Sequence, residues 1–193
     1  MYSAPVRVRG VTLFELLVTI AIVAILAGLA LPNFRQFMMQ MNVTSNTNNL
    51  IGALNLARSE AVKRGLPVAV IANAGTTAAK WSNSGWLVQA GTLNSSNNVV
   101  FAGAGGTALR SYGPFATGYG ITAVVATGAT CSGACTSAGQ IVFGPAGAML
   151  STGAVTLNVC RPDQDSTKET SITILQSGVV NSSTPASTSA PSC

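Results

Sequence analysis

The chain has 193 residues and a formal net charge of +5, and only 8% of its residues are charged. This length allows one ordinary domain and an additional segment. Histidine, the commonest general base and metal ligand, does not occur, and the mild positive charge is not clustered, so the composition supports neither catalysis nor nucleic-acid binding.

The N-terminus combines a short basic leader with a long apolar run. Residues 1–10 carry Arg7 and Arg9, and residues 11–31 contain one charged residue, Glu15. As an α-helix the apolar run would extend roughly 31 Å, which matches the hydrocarbon core of a bilayer. The basic leader predicts a cytoplasmic N-terminus. We therefore predict a membrane-spanning helix over residues 11–31.

Glu15 distinguishes this segment from an ordinary signal peptide and from a plain uncleaved anchor. A carboxylate inside an apolar segment is costly and is expected to have a partner. If the chain is cut after Gly10, the new amine at Val11 lies about one helical turn from a carboxylate. The amine of one subunit could then neutralise Glu15 of a neighbour. A secretory signal cleaved within Ala27–Ala30 is the alternative interpretation.

The run Gly10–Leu17 resembles the processing motif of type IV prepilins and type II secretion pseudopilins, as does the apolar stretch that follows it. The resemblance implies a leader over residues 1–10, removed after Gly10 by a prepilin peptidase. It also implies N-methylation of Val11 and a role for Glu15 in subunit assembly. Most of the family has Phe where this chain has Val11. This departure bears on methylation more than on cleavage, because cleavage in the family depends mainly on the glycine.

A second, amphipathic helical segment is predicted over residues 32–65. Pro32 can kink or end the first helix, after which we expect the helix to resume. Apolar residues then recur at helical spacing and predict a core-facing stripe: Leu50, Leu54, Ala57 and Ala61. Gly65 is expected to end the helix, and Pro67 prevents its continuation.

Several charged and aromatic residues in this region are predicted to have structural roles. Glu60 and Arg64 can pair across one helical turn. Together with Arg58 they are expected to form a solvated helix face and cap rather than a binding site. Trp81 and Trp86 are expected to anchor the core or a turn rather than to stack on a ligand.

Short β-branched runs predict an antiparallel β domain over residues 66–180. The predicted strands are Pro67–Ala72, Gly85–Val88, Ile121–Val125, Gln140–Phe143, Val155–Cys160 and Ser171–Leu175. Residues 90–120 are predicted to be loops, and residues 181–193 a loose tail rich in Ser, Thr and Pro. The predicted fold class is therefore α+β and pilin-like, with a long N-terminal helix, half transmembrane and half amphipathic, packed on an antiparallel sheet domain.

Four cysteines follow the apolar run, in the part predicted to lie outside the cytoplasm: Cys131, Cys135, Cys160 and Cys193. An even number in that location favours disulfides. Three pairings are possible. Cys131–Cys135 with Cys160–Cys193 is preferred, because the first bond closes a short loop and the second ties down the tail. The spacing matches a zinc site poorly, and we predict no metal and no cofactor.

The later segments are similar, in sequence and order, to the FimT/GspH group of minor pilins and pseudopilins. They are Ala57–Gly65, Gly85–Val88, Ile141–Phe143 with Gly147, Leu157–Cys160, and Ile172–Ile174 with Gly178. The resemblance implies a non-enzymatic minor pilin that assembles into a type IV pilus and helps to initiate or cap it. The alternative is a GspH-type minor pseudopilin of a type II secretion system, and nothing in the residues separates the two.

The resemblance also implies a location and partners. The chain would first cross the bacterial inner membrane once, with its C-terminal domain in the periplasm, and would then enter a pilus or pseudopilus. Its expected partners are the prepilin peptidase and other major and minor pilins or pseudopilins.

DNA uptake and catalysis are less well supported. Some FimT-like pilins bind DNA through an arginine-bearing motif just after the glycine of the last strand, and Gly178–Asn181 contains no arginine. Nucleic acid is therefore not predicted as a partner. No paired-carboxylate or Gly-x-Ser-x-Gly pattern suggests an enzyme, and Asp163 and Asp165 are typical of turn residues.

Overall fold

The computed structural model describes residues 10–73, 79–93, 99–101, 108–125, 140–150 and 153–184. The chain divides into two compact units, Met1–Met39 and Gln40–Cys193. The described part of the first unit is mainly helical, and the second unit contains the rest of that helix with antiparallel sheets. The predicted α+β class is confirmed.

Helix α1 spans Leu13–Arg64 without interruption, so Pro32 does not end it. Residues 42–49 are helical as well, although seven of these eight residues are Asn, Ser or Thr. Such residues have low helix propensity. Val43 and Thr47 within this stretch are buried, so tertiary packing supplies the stability that local propensity lacks.

The buried face of α1 in the second unit confirms the predicted stripe and extends it by two positions. Its fully buried apolar residues are Val43, Leu50, Ala53, Leu54, Ala57 and Ala61. The helix ends as the sequence predicts. Gly65 has a φ of +64°, a conformation that glycine adopts without strain. Its N–H donates to the Ala61 carbonyl at 3.0 Å, as in a helix cap of the left-handed type.

After α1 the described residues form short strands and one short helix. In chain order these are β1 (Val68–Ala72), α2 (Ala79–Ser84), β2 (Trp86–Ala90), β3 (Thr92–Leu93), β4 (Val99–Val100), β5 (Ala108–Tyr112), β6 (Gly120–Val125), β7 (Gln140–Phe143), β8 (Val155–Cys160), β9 (Thr170–Ile174) and β10 (Val180–Ser183). A 3₁₀ turn, Ser166–Lys168, lies between β8 and β9.

The described strands form two four-stranded sheets and a small ribbon. The first sheet has the order β5-β2-β1-β7, the second has the order β10-β9-β8-β6, and β3 pairs with β4. Every one of these pairings is antiparallel, as expected for strands this closely spaced. In the first sheet Val70 lies opposite Val88 and Ile141, and in the second Leu157 lies opposite Ala123 and Ile172.

Aromatic side chains fill one part of the core of the second unit. Trp81 and Trp86 are almost fully buried, which confirms their predicted role as core anchors. Trp86 stacks on Tyr112 at 5.3 Å between ring centroids and meets Phe115 edge-on at 5.4 Å. Offset and edge-on contacts of this kind add stability beyond area burial. They also fix β5 to the neighbouring β2.

Two sequence predictions are wrong at the level of elements. Residues 90–120 are not all loop, because Ala108–Tyr112 forms edge strand β5. Its side chains are mostly exposed, so the sequence lacks the alternation that marks a half-buried strand. The predicted tail begins too early, because β10 extends to Ser183 and pairs with β9. Residues 185–193 lie outside the described part of the chain.

Candidate functional site

The start of α1 lies close to the predicted cleavage position. Gly10, Val11 and Thr12 are not helical, and Gly10 and Val11 are exposed. Thr12 caps the helix, since its hydroxyl oxygen accepts the N–H of Glu15 at 3.1 Å. Sequence reasoning missed this cap, although Thr-x-x-Glu before an apolar run is the signature of a capping box. The helix therefore begins at Leu13, three residues after Gly10.

The apolar side chains described at the start of α1 are exposed. All described side chains from position 11 to position 31 are exposed, with Leu13 at 79% and Phe14 at 75%. By length and composition α1 is able to cross a membrane. A continuous apolar surface of this extent indicates contact with lipid or with other proteins.

Glu15 is the acidic residue in the first turn of this exposed helix. Its carboxylate forms no ion pair with any described residue of the chain. A carboxylate at this position is favoured by the positive end of the helix dipole, but that effect is small compared with the cost of placing a charge in hydrocarbon. An apolar surrounding would therefore favour neutralisation of the Glu15 carboxylate.

Arg58 is half-buried and is bonded to two turns, so the predicted solvated helix face does not describe it fully. Its Nε donates to the carbonyl of Gly147 at 3.0 Å, and its Nη2 donates to the carbonyl of Ser177 at 3.3 Å. Gly147 follows β7 of the first sheet, and Ser177 lies between β9 and β10 of the second. We call Arg58, Gly147, Ser177 and Gly178 the turn junction. Neither carbonyl could be predicted as the partner of Arg58 from sequence spacing.

The two glycines of the turn junction are required by its geometry. Gly147 has a φ of +75° and Gly178 a φ of +80°, a region that other residues rarely occupy. A Cβ on Gly178 would meet the carbonyl oxygen of Gly147 and would lie 3.0 Å from Nε of Arg58. The N–H of Met149 also donates to the carbonyl of Gln176 at 2.9 Å. The junction therefore joins α1, the first sheet and the second sheet.

The pair Glu60 and Arg64 was predicted correctly. Nε of Arg64 lies 2.6 Å from Oε2 of Glu60, and Nζ of Lys63 lies 3.7 Å from Oε1. The hydrogen bond from Arg64 lowers the pKa of the Glu60 carboxyl. These exposed i,i+3 and i,i+4 pairs stabilise helices only slightly. They support the last turn of α1 rather than a reaction.

Arg161, which sequence reasoning did not single out, is buried in the loop after β8. It is only 2% exposed, and it donates to both carboxylate oxygens of Asp163 at 3.0 and 2.7 Å. Its Nη1 donates to Oε1 of Gln40 on α1 at 3.3 Å. Paired, two-pronged contacts of this kind hold an arginine rigidly. The arrangement fixes the loop to the helix, and Asp163 is the turn residue that the sequence predicted.

Asp165 and Glu169 lie in the same loop with opposite electrostatic environments. Asp165 caps the 3₁₀ turn, and hydrogen bonds from Thr167 and Lys168 lower its pKa to about 2. Glu169 is 1% exposed, and burial, with smaller contributions from Asp165 and Asp163, raises the pKa of its carboxyl. Among the described residues no cluster of three or more His, Cys, Asp or Glu side chains is placed to hold a metal ion.

The raised pKa of Glu169 leads to a prediction about stability and pH. The pKa of Glu169 is higher in the folded chain than in the unfolded chain, so protonation of Glu169 adds to the free energy of unfolding. This contribution is lost as the pH rises through the folded-state pKa. Glu169→Gln, which mimics the protonated form, should therefore increase the free energy of unfolding at about pH 7 and change it little near pH 4. Urea unfolding of the detergent-solubilised chain at both pH values would measure this.

Glu60→Gln is the matched control, since the pKa of Glu60 is lowered instead. It should decrease stability slightly at neutral pH and have no effect under acidic conditions. If both variants changed the free energy of unfolding equally at neutral pH, the conclusion that burial raises the pKa of Glu169 would be wrong.

Of the predicted disulfide residues, the structure describes Cys160. It is buried at the end of β8 and takes part in a disulfide bond. Cys131, Cys135 and Cys193 lie outside the described residues. The pairing of the four cysteines therefore stays a prediction.

A long helix with an exposed apolar half, followed by a unit in which its remainder packs on two antiparallel sheets, defines the pilin-like class. The chain matches the family model described as type II transport protein GspH over residues 46–178, and the prokaryotic N-terminal methylation motif over residues 6–31. Because the first match covers more than half of the chain, the protein belongs to the GspH family. This is the minor pilin and pseudopilin family that the sequence resembles.

One solved protein shows the same fold in two crystal forms. Two crystal forms of the type IV minor pilin FimU of Pseudomonas aeruginosa PAO1 are 18% and 21% identical to this chain, with TM-scores of 0.53 and 0.54. They cover 78% and 81% of this chain and 98% of FimU. The minor pseudopilin EpsH of the type 2 secretion system of Vibrio cholerae is 12% identical over 75% of this chain and 98% of EpsH, with a TM-score of 0.48. No curated protein sequence matches the chain.

Proposed function

We propose that this chain is a non-enzymatic minor pilin that helps to initiate or cap a type IV pilus. The proposal rests mainly on the spacing of Gly10, Val11 and Glu15 at the N-terminus. Gly10 lies three residues before the first residue of a helix that is capped by Thr12, and Glu15 is the one carboxylate in the exposed apolar run over residues 11–31. The methylation motif covers this stretch.

This spacing leads to a proposed order of processing, membrane anchoring and assembly. A prepilin peptidase removes residues 1–10 on the cytoplasmic side, and the amine of Val11 is methylated. Residues 11–31 anchor the chain in the inner membrane, with the globular part in the periplasm. Extraction into the filament replaces lipid around the helix by neighbouring helices of other pilins. There the amine of an adjacent subunit neutralises Glu15, because an unpaired carboxylate in that surrounding is too costly.

The cysteines have a stabilising role in this proposal. The buried Cys160 bonds to Cys193 and so holds the tail against the second sheet, while Cys131 and Cys135 close a short loop. Such bonds form in the oxidising periplasm. Peptide mapping under non-reducing conditions distinguishes this pairing from the other two.

A second candidate is a GspH-type minor pseudopilin of a type II secretion system. It is favoured by the family model itself, which is described as a type II transport protein. The geometry described above suits both machines, because each uses a processed apolar helix to assemble its subunits. They differ in where the assembled chain is found.

Mass spectrometry of sheared surface filaments and of the remaining membranes tests the proposal. A peptide that begins with methylated Val11, present in the filaments, would support a minor pilin of a surface pilus. The same peptide confined to membranes would favour the pseudopilin. An intact Met1 leader in both fractions would refute assembly and leave a membrane-anchored domain.

Replacing Glu15 should separate membrane insertion from assembly. The Glu15→Leu variant is expected to insert into the membrane and to be processed. Its incorporation into filaments should fall by roughly tenfold or more. A lost charge pair of a few kcal/mol corresponds to at least that factor. Quantitative immunoblots of filament and membrane fractions measure the ratio.

Thr19→Leu is the matched control for Glu15→Leu. It also removes a polar group from the exposed helix, where the Thr19 hydroxyl donates to the Leu16 carbonyl at 2.8 Å, but it removes no charge. Its incorporation should equal that of the unmodified chain. Equal incorporation of Glu15→Leu would show that the carboxylate has no role in assembly.

A further inference from the structure

Large apolar side chains are exposed beside the turn junction. Val62 on α1, Leu150 after β7, and Leu175 and Val179 on the turn between β9 and β10 are all exposed. A Cβ on Gly147 would lie 3.1 Å from Val62, and the N–H of Leu175 donates to the carbonyl of Val179 at 2.9 Å. We call these four residues the helix-end patch.

The pieces of the patch are held together by the two turns. Leu150 packs over Gly144, where an added Cβ would lie 2.9 Å from its Cδ2. Gly144 and Gly147 close one turn, and the bond from Met149 to the carbonyl of Gln176 ties that turn to the next one. The backbone of the two turns that carry Leu150, Leu175 and Val179 is therefore tied together. Grouped exposed apolar side chains rimmed by polar groups are characteristic of interaction sites.

An open groove of about 510 Å³ adjoins the patch, between the outer face of α1 and the turn at Ala146 and Gly147. Its lining includes Asn55, Arg58, Val62 and Lys63. The groove therefore combines an apolar wall with two cations. The Lys63 side chain is 77% exposed and can reach a partner without rearrangement of the helix.

The positive charge of the groove is not balanced within the described part of the chain. Arg58 lies within ion-pair distance of no described carboxylate, and its two hydrogen bonds to carbonyls use two of five donors. Lys63 and Arg64 share the single carboxylate of Glu60. Because two backbone carbonyls already orient the guanidinium of Arg58, a partner carboxylate would bind without ordering it first.

We propose that the groove and the helix-end patch bind the globular part of a different filament subunit, one that presents a carboxylate side chain among apolar residues. This rests on the proposed function in a filament. A second copy of this chain fits less well, since Asp163 and Asp165 are already paired with Arg161 and Lys168. Charge complementarity of this kind selects partners as well as attracting them.

Site-specific photo-crosslinking of the full chain in filament-forming cells tests the proposal. A benzophenone amino acid is placed at Val62 or Leu175, and at Ser111 on β5 as an exposed control. The two patch positions should give an adduct with the globular part of another processed subunit, with an Asp or Glu in or next to the linked peptide. The Ser111 position should not give that adduct.

A charge reversal then tests the electrostatic component. Lys63→Glu should lower the adduct yield from position 175 by about tenfold or more, because like charges across an interface oppose binding. Arg110→Glu is a charge reversal on the exposed strand β5, and it should leave the adduct yield from position 175 unaltered. Both variants should be processed and reach the membrane at normal levels.

Several results would overturn the proposal. A chain that starts at Val11 but gives no patch adduct, or an adduct with its own copy alone, would contradict the assigned partner. Equal yields with Lys63→Glu and Arg110→Glu would contradict the role of the cations. A chain that retains Met1 would refute the filament role and the surface together, and its mass identifies that case separately.

Discussion

Replacement of Gly178 by alanine should destabilise the globular unit by about 3 kcal/mol or more. The φ of +80° is strained for alanine, and the new methyl group would meet the backbone carbonyl of Gly147 and the guanidinium of Arg58. Gly147 is itself held at a positive φ, so the facing turn has little freedom to move away. Urea unfolding followed by the fluorescence of the buried Trp81 and Trp86 measures the loss.

Gly52→Ala is the control for this prediction. Gly52 is exposed within α1, and a Cβ there would meet nothing within 4 Å. The same chemical change should therefore stabilise the chain by up to about 1 kcal/mol, since alanine is the better helix former. If Gly178→Ala unfolded at the same urea concentration as the unmodified chain, the turn junction as described would be wrong.

Gly10→Val should abolish removal of the leader while leaving the fold intact. A Cβ on Gly10 would meet no described residue within 4 Å, so packing against the described part of the chain does not require glycine there. Under the proposed function the requirement comes from the active site of the peptidase, where a branched side chain is excluded. We expect cleavage to slow by at least about a hundredfold, which corresponds to roughly 2.7 kcal/mol in the activation barrier.

Val11→Phe is the matched control, because it places the residue that most of the family has on the other side of the same bond. Cleavage should be retained. Intact-mass measurement of membrane extracts after a timed induction distinguishes the two variants. If the Gly10→Val variant were processed normally, the bond between residues 10 and 11 would not be the cleavage site.

The sequence predicts those elements whose stability arises locally or from strong burial. Val155–Cys160 alternates as a half-buried strand does, and the structure has a strand with these bounds. Leu50 and Leu54 recur at helical spacing and are buried as predicted. In contrast, β5 could not be predicted, because the stacking of Tyr112 on Trp86 and the pairing with β2 hold it. Neither contact has a local signature.

The candidate site shows the same division. The spacing of Gly10, Val11 and Glu15 could be predicted from the sequence, because the leader, the cleavage position and the apolar helix follow one another along the chain. The Thr12 cap was also readable and was missed. Arg58 could not be placed, since its partners are carbonyls 89 and 119 residues away along the chain. Backbone acceptors carry no residue-type signal, so such contacts become visible only in the folded chain.

The turn junction also determines how the globular unit responds to mechanical tension. Beside the buried face of α1, the guanidinium of Arg58 attaches the helix to the first sheet through Gly147 and to the second through Ser177. At this junction the two hydrogen bonds are loaded in parallel, because one side chain makes both. A pull on α1 would therefore divide its force between the two sheets at this point, instead of loading one sheet before the other.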